Sequence, residues 1–178
     1  MIMDNKAIFF DRDGVFNELV PRSSGSLTAP WIDDEFRYLD GINLATKIAK
    51  EKGIFTFLVT NQPDINDGLT TKEIVESFHE RLQNKFNFDQ IIFCPHSKNE
   101  GCSCRKPLPG MILQLANKWQ ISLKDSFMVG DTWKDIDAGK ASGCRTILIQ
   151  RDYNLEVKAD YLVKNANEAA KLAVKILY

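Results

Sequence analysis

The sequence predicts an α/β fold, a Rossmann-like doubly wound parallel sheet in a single domain spanning residues 1–178. Three observations predict it. Short, largely apolar runs recur along the chain, helical repeats of apolar residues stand between them, and 178 residues is near the usual size of one domain.

The first run, Ala7–Phe10, reads as a strand buried on both faces, because it is continuously apolar rather than alternating. Residues 14–40 follow with Gly, Pro and Ser (Pro21 to Gly25) and no sustained period, so they read as a long loop. Ile42–Lys52 carries Leu44, Ala45, Ile48 and Ala49 on one helical face and stops at Gly53, a plausible C′ glycine. Ile54–Val59 is the second strand. Thr70 with Glu73 forms a capping-box signature, and Ile74, Phe78 and Leu82 continue that helix at i, i+4, i+8. Ile91–Phe93 is the third strand, and residues 94–110 are rich in Cys, Gly and Pro with no apolar face. Pro109 opens a third helix, where its missing N–H is harmless, with Ile112, Leu115, Ala116 and Trp119 facing inward. Phe127–Val129, Thr146–Ile149 and Tyr161–Val163 complete the strands. Asn165 with Glu168 starts the last helix, whose inner face holds Ala169, Leu172, Ala173 and Ile176. Strands alternating with helices give the doubly wound sheet.

Composition narrows the function. Hydrophobic residues make up 44% and charged residues 26%, enough for a real core. The 23 basic and 24 acidic residues leave a net charge of −1, which provides no electrostatic footprint for nucleic acid or an anionic membrane. The apolar runs are too short to span a bilayer, and the acidic Asp4, Asp11 and Asp13 fit no secretory signal. A cytoplasmic monomer is expected, with no nucleic-acid or membrane partner.

The cysteines are clustered. Cys94, Cys102 and Cys104 fall within eleven positions with His96 among them, whereas Cys144 beside Gly143 reads as core. In a cytoplasmic chain such clustering suggests a metal before disulfides. Three thiolates and an imidazole would close a tetrahedral site with no position open for catalysis. The one-residue gaps are tighter than common finger spacing, and buried free cysteines are the alternative, although the surrounding Pro, Ser, Asn and Gly offer little to bury them in. His79 lies on a helical pattern and reads as structural.

The polar residues at the strand ends point to chemistry. Asp11 and Asp13 follow the first strand, so an extended chain aims both carboxylates one way. Paired carboxylates repel unless positive charge sits between them, and a magnesium ion or a transferring phosphoryl group would meet that need. A solvated strand-end loop is the plain alternative for such a pair alone. Here it stands at the carboxyl end of a buried strand, where open α/β sheets bind ligands. The second strand ends in Thr60, Asn61 and Gln62, a hydroxyl and two amides suited to phosphate oxygens. Arg105 and Lys106 follow the cysteines, and Gly130-Asp131 with Asp135 follows the fourth strand.

That order resembles the haloacid dehalogenase (HAD) superfamily of phosphatases, from about Phe9 to Gln150. In detail Asp11-Arg12-Asp13-Gly14-Val15-Phe16-Asn17, Thr60-Asn61-Gln62, Cys94-Pro95-His96 and Cys102-Ser103-Cys104-Arg105-Lys106-Pro107 are similar to its heptose-bisphosphate and histidinol phosphatase branch. The resemblance implies a HAD-like fold and a hydrolase of phosphate monoesters. Asp11 would be the nucleophile that forms an aspartyl-phosphate, and Asp13 the general acid and then base. Asp11, the backbone carbonyl of Asp13, and Asp131 would hold Mg²⁺. Thr60 and Lys106 would bind the transferring phosphoryl oxygens, while Asn61, Gln62 and Arg105 would meet substrate. Asp135 would support Lys106 or the metal's water shell. The resemblance also makes zinc the ion expected at Cys94, His96, Cys102 and Cys104, in a structural role. The intervals between the motifs leave no room for a cap domain, so residues 16–38 and the zinc loop should wall an open site.

The substrate implied is a small phosphorylated metabolite, a sugar phosphate such as D-glycero-D-manno-heptose 1,7-bisphosphate cleaved at the primary-alcohol position. Histidinol phosphate is the alternative. The heptose enzymes commonly continue Ser-Gly-Ile-Ala-Arg-Gly after Asn-Gln, whereas this chain reads Pro63-Asp64-Ile65-Asn66-Asp67-Gly68. Asp67 stands in the arginine's place; if it faces the pocket it would repel a second phosphate and favour a monophosphate or a cationic substrate such as histidinol phosphate. A polynucleotide end phosphatase would want a basic groove, which net −1 does not encourage. A phosphate-accepting receiver would place its acceptor on a later strand, where Thr60 stands. A binding module without catalysis is disfavoured because every catalytic position is filled.

Overall fold

The computed structural model describes residues 5–178; Asp4, used above in reading the leader, lies outside them. In chain order the elements are β1 (Ala7–Phe10), β2 (Val20–Pro21), β3 (Leu27–Thr28), α1 (Ala45–Lys50), β4 (Phe55–Asn61), α2 (Lys72–Phe86) and β5 (Gln90–Cys94). Then come α3 (Gly110–Trp119), β6 (Phe127–Gly130), α4 (Trp133–Ser142), β7 (Arg145–Ile149), β8 (Tyr161–Val163) and α5 (Ala166–Leu177).

Six strands form one sheet in the order β5-β4-β1-β6-β7-β8, and every pairing is parallel. The chain builds outward from β1 in one direction and then from β6 in the other. The carboxyl ends of β1, β4 and β6 therefore meet at the switch point of the strand order, where such sheets hold ligands.

Period-two alternation sorts the strand side chains into two cores. Ile8, Phe10 and Leu58 face one way and pack with Phe78, Leu82 and Phe86 of α2 and the alanines of α1 and α5. Ala7, Phe9, Phe57 and Val59 face the other way, against Met111, Ile112, Leu115 and Ala116 of α3 and Ala138 of α4. Both faces are covered, which explains why the strands read as continuous apolar runs.

Some local expectations give way to tertiary contacts. The α1 helix is shorter than Ile42–Lys52, and Leu44 at its N-terminus is exposed, while Thr46 is buried and donates to Phe86 O at 2.6 Å. The N-cap of α2 is Thr71, not Thr70, because the Thr70 hydroxyl donates instead to Trp31 O at 2.7 Å. On α3 Pro109 is the N-cap rather than the first helical residue, and Trp119 is half-buried. Leu172 and Ile176 of α5 are also half-buried, whereas Ala166, Ala169, Ala170 and Ala173 pack fully. The α4 helix was not marked by periodicity at all. The stretch 14–40 is not a bare loop. Phe16 is fully buried against Phe10, Phe86 and Phe88, and β2 and β3 pair as an antiparallel hairpin. Neither interval between the motifs holds a further folded domain.

Candidate active site

The ends of β1, β4 and β6 open into a cavity of about 550 Å³ lined by, among others, Asp11, Asp13, Asn61, Arg105, Lys106 and Asp131. Lys106 is part of its wall. Its ammonium donates to Asp11 Oδ1 at 2.8 Å, Asp135 Oδ1 at 2.5 Å and the main-chain oxygen of Val59 at 2.9 Å, and the side chain is 3% exposed. Burial alone would lower the Lys106 pKa, but Asp11 and Asp135 hold it above its ordinary value. Lys106 is placed by the end of β4. Asn61 Nδ2 donates to Lys106 O at 2.9 Å, and Lys106 N donates to Asn61 Oδ1 at 3.0 Å. The Asn61 amide is thus a clamp on the lysine backbone.

Asp13 is held by a second buried network. Arg12, completely buried, donates to both Asp13 oxygens at 2.9–3.1 Å and to Gln62 Oε1 at 2.9 Å. Gln62 Nε2 donates to Asp13 Oδ2 at 2.7 Å, and Asn17 Nδ2 to Asp13 Oδ1 at 2.9 Å. Arg12 Nη1 lies 3.2 Å from His79 Nε2. Arginine only donates, so the His79 nitrogen accepts and the ring is neutral. Gln62 is therefore used in fixing Asp13 and is not among the residues lining the cavity. Nor is Thr60, which is fully buried with its hydroxyl accepting from Gln62 Nε2 at 3.1 Å. The side chains of Thr60, Asn61 and Gln62 all meet protein partners here, and of the three Asn61 lines the cavity.

The carboxylates of Asp11, Asp131 and Asp135 offer oxygens that all lie within 4.8 Å of one another. Burial first, then Asp135, pushes Asp11 up to about 7, against the pull of Lys106. Burial, Asp135 and Asp11 likewise raise Asp131 well above the ordinary carboxylate range. Asp131 Oδ1 is buried without a hydrogen-bond partner among the described residues, an acceptor left open. Hard carboxylate oxygens short of positive charge, one of them orphaned, fit a divalent cation such as Mg²⁺. Asp135 is otherwise engaged, for its Oδ2 accepts from Thr132 N at 3.0 Å and Thr132 Oγ1 at 2.7 Å while Oδ1 takes Lys106.

The cysteine cluster begins where β5 ends. Cys94 Sγ lies 3.0 Å from Cys104 Sγ, 3.7 Å from Cys102 Sγ and 3.4 Å from His96 Nδ1. Three sulfurs and an imidazole nitrogen gathered within 4.8 Å of one another suit tetrahedral zinc. The cluster itself does not line the cavity. Its loop runs directly into Arg105, which donates to His96 O at 2.9 Å, and then into Lys106. The β2–β3 hairpin supplies the opposite wall through Leu27, Thr28 and Ala29. Arg22 fastens that wall, stacking 3.5 Å from the Trp31 ring and pairing with Glu35 at 2.5 Å.

Sequence reasoning missed Arg12, Lys134 and Tyr153. The last two line the cavity, and Tyr153 donates its hydroxyl to Asp131 Oδ2. A charged residue between two acids in a buried strand end was the available signal for Arg12; Lys134 and Tyr153 had none. Asp67 is exposed, accepts from the Ser97 hydroxyl and does not line the cavity. Asp64 lines it instead, held by the Trp31 indole at 2.9 Å.

Known proteins are similar to this chain. Residues 103–170 match the family model described as HAD-hydrolase-like. A D-glycero-beta-D-manno-heptose-1,7-bisphosphate 7-phosphatase of Helicobacter pylori is 41% identical over 145 residues, covering 78% of this chain and 79% of its own length. The enzyme of the same name from Yersinia pestis is 34% identical over 189 residues, covering 97% and 96%. The crystal structure of D,D-heptose 1,7-bisphosphate phosphatase from B. bronchiseptica, complexed with magnesium and phosphate, superposes with a TM-score of 0.83 at 26% identity, covering 96% of this chain and 99% of that one. With a six-stranded parallel sheet, its acids gathered at the switch point and relatives at this identity over most of its length, the chain belongs to the HAD-like phosphatases, in the family of the heptose-1,7-bisphosphate 7-phosphatases.

Proposed function

We propose that this phosphatase removes the 7-phosphate of D-glycero-D-manno-heptose 1,7-bisphosphate by way of an aspartyl-phosphate on Asp11. The observation that carries the reading is the buried pair of Asp11 and Lys106, 2.8 Å apart on the cavity wall, beside the unpartnered Asp131 Oδ1.

An Asp11 oxygen attacks phosphorus in line with the leaving primary alcohol, splitting one slow hydrolysis into two easier steps. Asp13 gives its proton to that alcohol, then takes one from the water that cleaves the aspartyl-phosphate. Arg12, Gln62 and Asn17 fix the direction of Asp13 for both transfers. The Lys106 ammonium, already beside Asp11, meets the transferring oxygens as charge moves onto them. Asp11, the main-chain carbonyl of Asp13, and Asp131 would hold Mg²⁺, which when bound supplies positive charge to the phosphoryl group. Zinc on Cys94, His96, Cys102 and Cys104 would fix the course of the loop into Arg105 and Lys106, with no open coordination position for chemistry. Arg105 and Lys134, two cations on the cavity wall, suit the second phosphate.

The test is to incubate the zinc-loaded protein and Mg²⁺ with the bisphosphate and follow both phosphorus resonances by NMR. Loss of the 7-phosphate signal with the 1-phosphate retained is expected. Loss of the 1-phosphate first, or a clear preference for histidinol phosphate, would overturn the assignment.

A further inference from the structure

We propose that Tyr153 is a positioning residue for the divalent cation: its hydroxyl pins one oxygen of Asp131 so that the other faces the cation cradle. The proposal rests on Asp131 being a cation ligand.

Asp131 is held at two points, and a third acceptor is left open. Oδ2 accepts from the Tyr153 hydroxyl, its main-chain oxygen accepts from Asn154 Nδ2 at 2.7 Å, and Oδ1 is buried and free. Tyr153 and Asn154 lie in one short turn, residues Asp152–Asn154, that follows β7. The residue before that turn, Arg151, donates to Gly14 O at 3.0 Å, on the segment that carries Asp11 and Asp13. A single turn thus ties together the two halves of the cradle. At Gly14, with φ of +78°, an added Cβ would run into the Asp131 carboxylate and the Tyr153 hydroxyl, so the three groups leave no space between them.

The physical consequence concerns a torsion. The terminal torsion of aspartate is broad and roughly twofold, so a carboxylate with no second contact spreads its oxygens over many directions. A donor on Oδ2 removes that freedom before the cation arrives. Hydrogen bonds to the oxygen that does not coordinate commonly matter tenfold to a hundredfold in metal affinity. Tyr153 is 46% exposed and lines the cavity, so phenylalanine can keep its packing and remove only the donor.

The experiment titrates Mn²⁺, a spectroscopically visible stand-in for Mg²⁺, into the zinc-loaded full chain and reads free Mn²⁺ by electron paramagnetic resonance. Wild type, Tyr153→Phe and Asp131→Asn are compared, with circular dichroism as the check on folding. We expect Asp131→Asn to abolish tight binding and Tyr153→Phe to weaken it by roughly tenfold or more. Activity of Tyr153→Phe should then recover at high Mg²⁺ with the substrate KM unchanged. Wild-type Mn²⁺ affinity in Tyr153→Phe, with Asp131→Asn dead to the ion, would overturn the role of Tyr153 alone. Unchanged Mn²⁺ affinity with a raised substrate KM would overturn it too, by moving the tyrosine to substrate binding. Wild-type affinity in Asp131→Asn would instead overturn the cation-site assignment.

Discussion

Lys106 and Asp11 are 95 residues apart in sequence, yet the lysine ammonium lies 2.8 Å from Asp11 Oδ1 with both side chains withdrawn from solvent. Asn61 brings them together by clamping the Lys106 backbone at the end of β4, the strand paired with β1. Asp11→Asn preserves the shape and an acceptor for Lys106 but removes the attacking charge. Phosphate release should fall to background while the fold survives. Lys106→Met should do more damage, since Asp11 and Asp135 would face each other without a cation; breaking a buried pair costs about 3–5 kcal/mol. Urea denaturation measures the second effect, and near-wild-type turnover by Asp11→Asn would remove the aspartyl-phosphate mechanism.

How much of this was legible in the sequence depends on the range of the signal. The central strands could be read because both of their faces are buried, so Phe9 and Phe10 are apolar whichever way they point. The α4 helix could not, because Asp135 inside it serves Lys106 and Thr132 rather than an amphipathic face. Thr70 was a sound N-cap by local rules and lost to a contact with Trp31, 39 residues away. At the site, Asp11, Asp13 and Asp131 stood out by their places after apolar strands, and the structure gathers them with Lys106 around one cavity. The use of Asn61 and Gln62 as internal clamps was not, because an amide that holds protein and one that holds phosphate look alike in sequence.

The two metal sites should separate. Mild chelation should abolish activity and added Mg²⁺ restore it, provided the thiolate-bound ion stays in place. Cys102→Ser should lower the melting temperature, since Cys102 is one of four side chains gathered as a candidate metal site and metal binding is coupled to local folding. Elemental analysis of protein purified without chelator should find one zinc per chain, and none would count against the site.

His79 should leave a signature in acid stability. Burial first, then Arg12, lowers its pKa to about 3, and the side chain is almost fully buried beside Arg12 Nη1. An unfolded histidine titrates near 6.5, so between these values the unfolded chain binds the proton more readily. The stability that neutral His79 contributes is fully present above about pH 6.5 and is lost as pH falls toward 3. At pH 5 the loss is roughly 2 kcal/mol. Carboxylates with raised pKa values, such as Asp64, act in the opposite sense, so the comparison must be between variants. His79→Gln keeps an acceptor for Arg12 and does not titrate. Its unfolding free energy should fall less than that of wild type between pH 7 and pH 5, and identical slopes would refute the assignment.

Substrate preference turns on which charges reach the cavity. Asp67 stands in the position where an arginine is common among the heptose enzymes, but its carboxylate accepts from Ser97 at the exposed surface and is absent from the cavity wall. Asp67→Arg should therefore leave kcat/KM unchanged for heptose 1,7-bisphosphate, heptose 7-phosphate and histidinol phosphate alike. Arg105 and Lys134 do line the wall. Arg105 has one Nη engaged by His96 O, which fixes the guanidinium while leaving other donors for substrate. Lys134 has no hydrogen-bond or ion-pair partner among the described residues. A hydrogen bond to a charged group is worth about 1.5–3 kcal/mol, so Arg105→Lys and Lys134→Ala should each raise KM for the bisphosphate roughly tenfold or more. The monophosphate, lacking the second anion, should suffer less from Lys134→Ala. Steady-state kinetics on the three substrates in these three variants decide the matter. Equal losses on bisphosphate and monophosphate would take Lys134 away from the second phosphate, and a large gain on the bisphosphate in Asp67→Arg would show that residue 67 reaches the substrate after all.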